Sequence, residues 1–383
     1  MKFYLFRRIS IEVLILLLLT VELWATSSVV HSFILNLPGA EEPVRCFETE
    51  SGFLVFAQER EQSVILAIEL NADLQLKKLV TLDRLSFTRL NHVSKNARGE
   101  FVFVGYEMIN RQSRIKVAIL DEKLILITQY SIPVSGADQW AESSICVEDG
   151  FIVVGGHRTI GSNWYDAVVL KISREGKILW TKYFGGSADE WFSGVCELQG
   201  QYLCFGSTES YGKGQADFLV VLFSQKGNKI WDKTFGGNDW ERAVGCVVTQ
   251  DSIILAGSSN SFTSYNSLFA VKIDSDGRIL WQKVVDLKED FTTKGVVKLS
   301  EEVLVVYGEL WSNESRRDVT YLFLKNSGEL FTQQTFKMPG DQRVAQILLL
   351  KDGRMLILFA SDNPQSSTDV QLYLVQQEFE STE

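Results

Sequence analysis

Residues 178–191 read ILWTKYFGGSADEW, and the stretches KIWDKTFGGNDWE at 229–241 and ILWQKVVDLKEDF at 279–291 repeat the pattern. Trp180, Trp231 and Trp281 stand 51 and 50 residues apart. Outward from these stretches, Gly155, Gly206, Gly257 and Gly308 close apolar runs at a constant spacing of 51, with Gly105 another 50 earlier. Ala57 and Ala360 are read as the equivalent places in the first and last units. Turn glycines Gly176, Gly227, Gly277 and Gly328 recur at 51, 50 and 51. A fixed period of this length marks a repeat architecture, and seven units fill the chain from residue 39 to about 380.

Each unit reads as four short strands, for example WFSGVCEL, QYLCFGS, DFLVVLFS and NKIWDKTF, separated by turn-rich pieces such as SQKGN. The second and third strands are continuously apolar, as in FIVVGG, FLVVLF, VLVVYG and MLILFA. A sheet with one solvated face would alternate, so these runs require cover on both faces. Four-stranded sheets covered by their own neighbours are propeller blades. The last unit offers only three strands, and SFILNLPG at 32–39 resembles the missing outer one. The predicted fold is therefore an all-β, seven-bladed β-propeller of four-stranded antiparallel blades. An N-terminal strand beside residues 369–377 completes the last blade and removes the open edges of an unclosed ring.

Composition excludes several functions. The 383 residues carry 38 Lys+Arg against 48 Asp+Glu, a net charge of −10, where nucleic-acid binding needs clustered cations. Three His and five Cys leave little for a zinc site or a His-dependent triad, so no metal, cofactor or catalytic residue is assigned. Lys2, Arg7 and Arg8 precede an uncharged stretch from Val13 to Val21, followed by small residues from Ala25 to Ser28. The apolar centre is far shorter than the ~20 residues of a spanning helix. The pattern fits a signal peptide over residues 1–25, cleaved after Ala25, with residues 26–383 as one propeller. An uncleaved anchor is the alternative and the only expected membrane contact. Location is expected to be periplasmic, extracellular or on the cell surface, and the chain is expected to be a monomer.

The pattern apolar–Lys–apolar, Asp-x-x-Gly, Ile-Leu-Trp-x-Lys-x-Phe-Gly-Gly and then Asp resembles bacterial and archaeal cell-surface propeller repeats. It is also similar to the wider quinoprotein-like propellers, in which a Trp near each blade's end docks on the neighbour. The likeness is closest over residues 166–285, whereas residues 81–130 lack both the Trp and the Gly-Gly. It implies an exported propeller and no quinone, because no matching pocket residues are present.

Candidate sites fall into three sets. Asp138, Asp189, Asp239, Asp290 and Asp341 recur at 51, 50, 51 and 51, each opening an innermost strand, so five carboxylates should encircle one channel mouth. They either cap tight turns through backbone N–H groups or concentrate cations. Trp140, Trp191, Trp240 and Phe291 follow them and are read as inter-blade packing. Cys46, Cys146, Cys196 and Cys246, at 100, 50 and 50, are read as equivalent positions roughly 10 Å apart. A disulfide needs Cα atoms within about 7 Å, so they are expected to be free and buried, as is Cys204.

The third set lies in the loops between second and third strands, which carry exposed-looking Arg158, Trp164, Tyr165, Tyr211, Tyr265, Trp311 and Arg316. These loops should share a face with the Asp ring, and binding commonly resides on such loops. Three functions stay open: a non-catalytic exported module that binds a protein or glycan partner through this face, an envelope glycan hydrolase or lyase using Asp189 and Asp239, and a purely structural envelope unit.

Overall fold

In the computed structural model, residues 23–381 are described, apart from 36–39, 133–135, 250, 313–315, 338–339 and 363–367. The chain is a ring of seven four-stranded antiparallel sheets. Blades 1 to 6 span residues 41–81, 89–131, 137–184, 190–235, 241–285 and 291–336 in simple meander order. Blade 7 takes three strands from residues 341–381, and its outer strand is Leu23–Leu35, paired antiparallel with Thr368–Ser381. The closing strand is longer than expected, and Ala25 lies inside it. Residues 1–22, the greater part of the expected signal segment, lie outside the described residues.

Burial follows the continuous apolar runs. The second strand of blade 1, Gly52–Glu59, and the third of blade 4, Asp217–Phe223, are buried at every position. The core is accordingly divided into clusters that each join two adjacent blades. One holds Phe56 and Ala67 of blade 1 with Phe101 and Phe103 of blade 2, and another holds Leu203 and Phe218 of blade 4 with Leu255 and Phe269 of blade 5. The clusters continue round the ring and close between blades 7 and 1 through Leu358, Leu372, Val55 and Ile68.

Each innermost strand carries a β-bulge at the same place, after Pro43, Leu90, Ala141, Phe192, Ala243, Thr293 and Val344. The bulge explains the repeated glycine. A Cβ on Gly206 would lie 2.0 Å from the Trp191 carbonyl oxygen across the ladder, and Gly155 and Gly257 are confined in the same way by Trp140 and Arg242. Ala57 does hold this register place in blade 1, opposite Pro43. In blade 7 the place belongs to Phe359, opposite Val344, and Ala360 is one residue beyond it. The outer strands of blades 1 to 6 also carry bulges, such as that at Leu179, which twist exposed edges away from further pairing.

The outer tryptophans dock forward onto the next blade. Trp180, Trp231 and Trp281 donate their indole N–H to the carbonyls of Gln225, Ser275 and Asn326 at 3.1 Å each. The turn glycine beneath the first indole, Gly227, has φ +76° and a would-be Cβ only 2.7 Å from Trp180 Cδ2. Gly227→Ala is therefore expected to cost about 2 kcal/mol, from left-handed backbone strain and a displaced indole. A urea midpoint equal to that of the unaltered protein would refute the docking role.

Candidate functional site

The second-to-third-strand loops gather on one face with the starts of the innermost strands, and the five aspartates tie the two together. Each reaches back to the loop of the preceding blade rather than capping its own turn. Tyr165 N–H donates to Asp189 Oδ1 at 2.7 Å and Asn266 N–H to Asp290 Oδ1 at 2.8 Å. Ser113 and Arg317 N–H donate to Asp138 and Asp341 at 3.1 and 3.3 Å, while Gln215 uses its side-chain amide on Asp239 at 3.3 Å. Two of the five also hold arginines: Arg158 pairs with Asp138 at 2.8 Å, and Arg317 pairs with Asp341. Burial opposes ionisation of Asp138, but Arg158 and Ser113 outweigh it and hold its pKa below the usual carboxylate range. At Asp341 the Arg317 hydrogen bond is the largest influence, with the same result.

These latches fix aromatic side chains that face solvent. Trp164 is 47% exposed, Tyr211 44%, Tyr265 40% and Trp311 47%, one in each of blades 3 to 6. Two of them are pinned directly. Tyr211 OH donates to Gly185 O at 2.7 Å, and Trp311 N–H donates to Asp290 O at 2.8 Å. Arg158 lies 4.8 Å from the Tyr165 ring centroid, and Trp140 packs edge-on against the same ring at 4.9 Å. Arg316 is exposed with φ +74°, whereas its neighbour Arg317, absent from the sequence-based set, stacks on Trp311 at 5.3 Å and also faces the buried Glu309. A cavity of about 360 Å³ opens on the same rim between Gln62 and Ser63 of blade 1 and Thr88, Glu107 and Met108 of blade 2.

The aromatics after the aspartates are not equivalent. Trp140 and Trp191 take the same register opposite Gly156 and Ser207, but Trp240 precedes its strand and is 43% exposed, while Phe291 is fully buried. Four residues separate the glycine pair from Trp191 in GGSADEW but only two separate it from Trp240 in GGNDWE, so Trp240 falls before its strand while the strand itself still opens at a Glu. The cysteine equivalence also fails. Cys46 and Cys246 share a register, opposite Val55 and Leu255, but Cys196 and Cys146 lie opposite Leu203 and Phe151, one and two residues further along. The 10 Å spacing does not hold at the channel, where the inner strands converge: Cys196 and Cys246 sulfurs are 2.8 Å apart, unbonded.

Sequence reasoning missed the buried acids behind the loops. Glu190 is fully buried and accepts from Gly186 N–H at 2.7 Å, Thr208 Oγ1–H at 2.8 Å and Ser210 N–H at 3.0 Å. Glu241 does the same for Gly237 N–H and the Ser259 hydroxyl. Asp217 opens the third strand of blade 4, accepts from Lys213 N–H at 2.6 Å, and has its pKa raised first by burial and then by Glu241. The first glycine of each pair makes room for such an acid, since a Cβ on Gly185 or Gly236 would overlap Asp166 or Asp217. The available signal was a glycine pair followed by Glu four residues after its second member, at 186–190 and again 51 residues later.

No protein-family model matches the chain, and the search of curated proteins finds no match. Solved structures similar in fold include the AfRom2 CNH domain, with TM-score 0.52, 9% identity and coverage of 91% of this chain and 99% of that one. Sqt1 from Chaetomium thermophilum gives 0.52 and 10%, covering 85% and 80%. A protein of unknown function from Bacteroides caccae gives 0.43 and 10%, covering 78% and 94%. At these identities the likeness shows the fold alone.

Proposed function

We propose that this propeller is a non-catalytic binding module of the cell envelope whose loop-rich face docks a protein partner. A propeller scaffold suits protein binding in general, although fold alone assigns no function. The observation that carries the reading is the row of exposed aromatics Trp164, Tyr211, Tyr265 and Trp311 on the loops of four consecutive blades. Trp, Tyr and Arg dominate binding energetics where they are presented on a rigid surface. The aspartate latches and the Tyr211 and Trp311 hydrogen bonds hold these loops before any partner arrives, which lowers the ordering cost of association. Spread over four blades, the aromatics match an extended protein surface better than a single sugar pocket. The envelope location rests on the basic, apolar and small-residue pattern of residues 1–28.

The test is capture from the source organism's envelope extract by residues 26–383, beside a bait carrying Trp164→Ala, Tyr211→Ala and Trp311→Ala. A polypeptide retained at least tenfold less by the altered bait, at an unchanged urea midpoint, is the expected result. Equal retention by both baits would remove the loop face from the account. Loss of a retained glycan instead would replace the protein partner by a carbohydrate.

A further inference from the structure

Of the five cysteines, Cys196 and Cys246 alone bring their sulfurs together among the described residues. Cys196 lies in the innermost strand Glu190–Leu198 of blade 4, and Cys246 in Glu241–Val248 of blade 5. Side chains on a strand alternate between the two faces of the sheet, so a one-residue change of register reverses the face. Counted from the glycine opposite each bulge, Cys196 is one residue further along than Cys246. It therefore points forward to blade 5 while Cys246 points back to blade 4, and both pack in the cluster that joins those blades. Cys46, in the register of Cys246, points back to blade 7, where its own N–H meets Gln346. Cys146 points back to Ser94 of blade 2, and Cys204 is buried in the cluster between blades 3 and 4. Had all the cysteines shared one register, no two would meet.

The 2.8 Å separation of the sulfurs is shorter than non-bonded contact and longer than the roughly 2.05 Å of a disulfide. Both residues keep some solvent exposure on the innermost strands. We propose that Cys196 and Cys246 form an intramolecular disulfide that staples blades 4 and 5 at the channel wall, the oxidant being a small or protein disulfide. One cysteine, as its thiolate, attacks the donor R–S–S–R to give a mixed disulfide, and one R–S⁻ leaves. The second cysteine displaces the other R–S⁻. The two cysteines lose two electrons and two protons, and the donor leaves as two R–SH. The bond would close a loop of about fifty residues and restrict the unfolded chain, an effect independent of which partner the loop face binds.

The experiment is incubation of the full chain with oxidised glutathione at pH 8.5, followed by acid quench, thiol titration in denaturant and peptide mapping. The expected product is about 2 Da lighter, titrates three thiols in place of five, and yields a Cys196–Cys246 linked peptide. Its melting temperature should rise by about 5 °C. Cys46→Ser should still form the bond, whereas Cys196→Ser and Cys246→Ser should each keep four thiols. A stable glutathione adduct without the linked peptide, five remaining thiols, or a bond between any other two cysteines would overturn the assignment. The mapping on the unsubstituted chain decides the matter even if a serine variant fails to fold.

Discussion

Glu190→Ala is expected to destabilise the protein by about 4 kcal/mol, because it takes the acceptor side chain from two part-buried backbone N–H groups and a buried hydroxyl, at roughly 1–3 kcal/mol each. The N–H groups belong to Gly186, three residues before Asp189, and Ser210, next to Tyr211. The damage should therefore spread to the loop face, loosening the Tyr165–Asp189 latch along with it. Two further substitutions separate lost volume from lost hydrogen bonding. Glu190→Leu refills the space without an acceptor and should remain almost as unstable as the alanine variant. Glu190→Gln keeps one acceptor oxygen but turns an amide N–H₂ toward one of the donors, and should cost about 2 kcal/mol. Blade 6 shows why the need is local: its connection, DLKED at 286–290, lacks the glycine pair, and the apolar pair Phe291 and Leu310 fills the same register. Urea unfolding of the three variants is the measurement. A Glu190→Leu chain as stable as the unaltered one would show that the site needs bulk and not an acceptor.

Blade number, strand count and ring closure were legible because they rest on period. Apolar runs recurring every fifty residues can be buried on both faces only by like neighbours, and the surplus strand at one end matches the deficit at the other. Single-residue register was not legible, because a bulge or a side chain placed a position earlier or later changes the face it takes without changing the period. That is why Trp240 fails to match Trp191, why Phe359 and not Ala360 faces the blade 7 bulge, and why Cys196 meets Cys246 across a blade boundary. The aspartates drew attention as a regular ring, yet each accepts a hydrogen bond from the preceding blade, a pairing that spacing along one unit does not display. Glu190 and Glu241 were hidden by position. Glu190 follows Asp189 directly and Glu241 comes two residues after Asp239, so the more regular Asp drew the eye, and the Gly186 and Gly237 N–H groups that give each glutamate its role meet it only in the fold. The exposed aromatics were readable as loop residues, but their rigidity depends on Gly185, Asp290 and Arg317, none of which is close to them in sequence except the last.

His92 should make the protein acid-sensitive well above the pH at which carboxylates protonate. Its ring is held on the innermost strand of blade 2, where Nδ1 accepts from Ser144 N–H of blade 3 at 3.4 Å and lies 3.5 Å from Ser144 Oγ. Burial first, and then the Arg45 guanidinium from blade 1, push its pKa down from 6.5 to about 3. A proton added at Nδ1 would also face Ser144 N–H donor to donor, so geometry and electrostatics agree that the folded protein keeps this imidazole neutral. The unfolded chain has no such constraint and binds the proton near pH 6.5. Between about pH 6.5 and 3 the unfolded state therefore holds one more proton than the folded state, and stability falls as pH falls, by up to about 1.4 kcal/mol per pH unit. Over the whole window the loss approaches 4–5 kcal/mol, an order-of-magnitude figure set by the size of the shift. Depressed carboxylates such as Asp138 and Asp341 lose stability in the same direction at lower pH, so the variant must isolate the histidine. His92→Asn cannot titrate and should flatten the dependence by close to one proton between pH 6 and 4, while leaving the slope below pH 3 unchanged. Urea unfolding at half-unit intervals of pH provides the comparison. Parallel curves for the two proteins would mean that His92 titrates alike in both states, and would exclude a neutral, buried imidazole at this joint between blades 2 and 3.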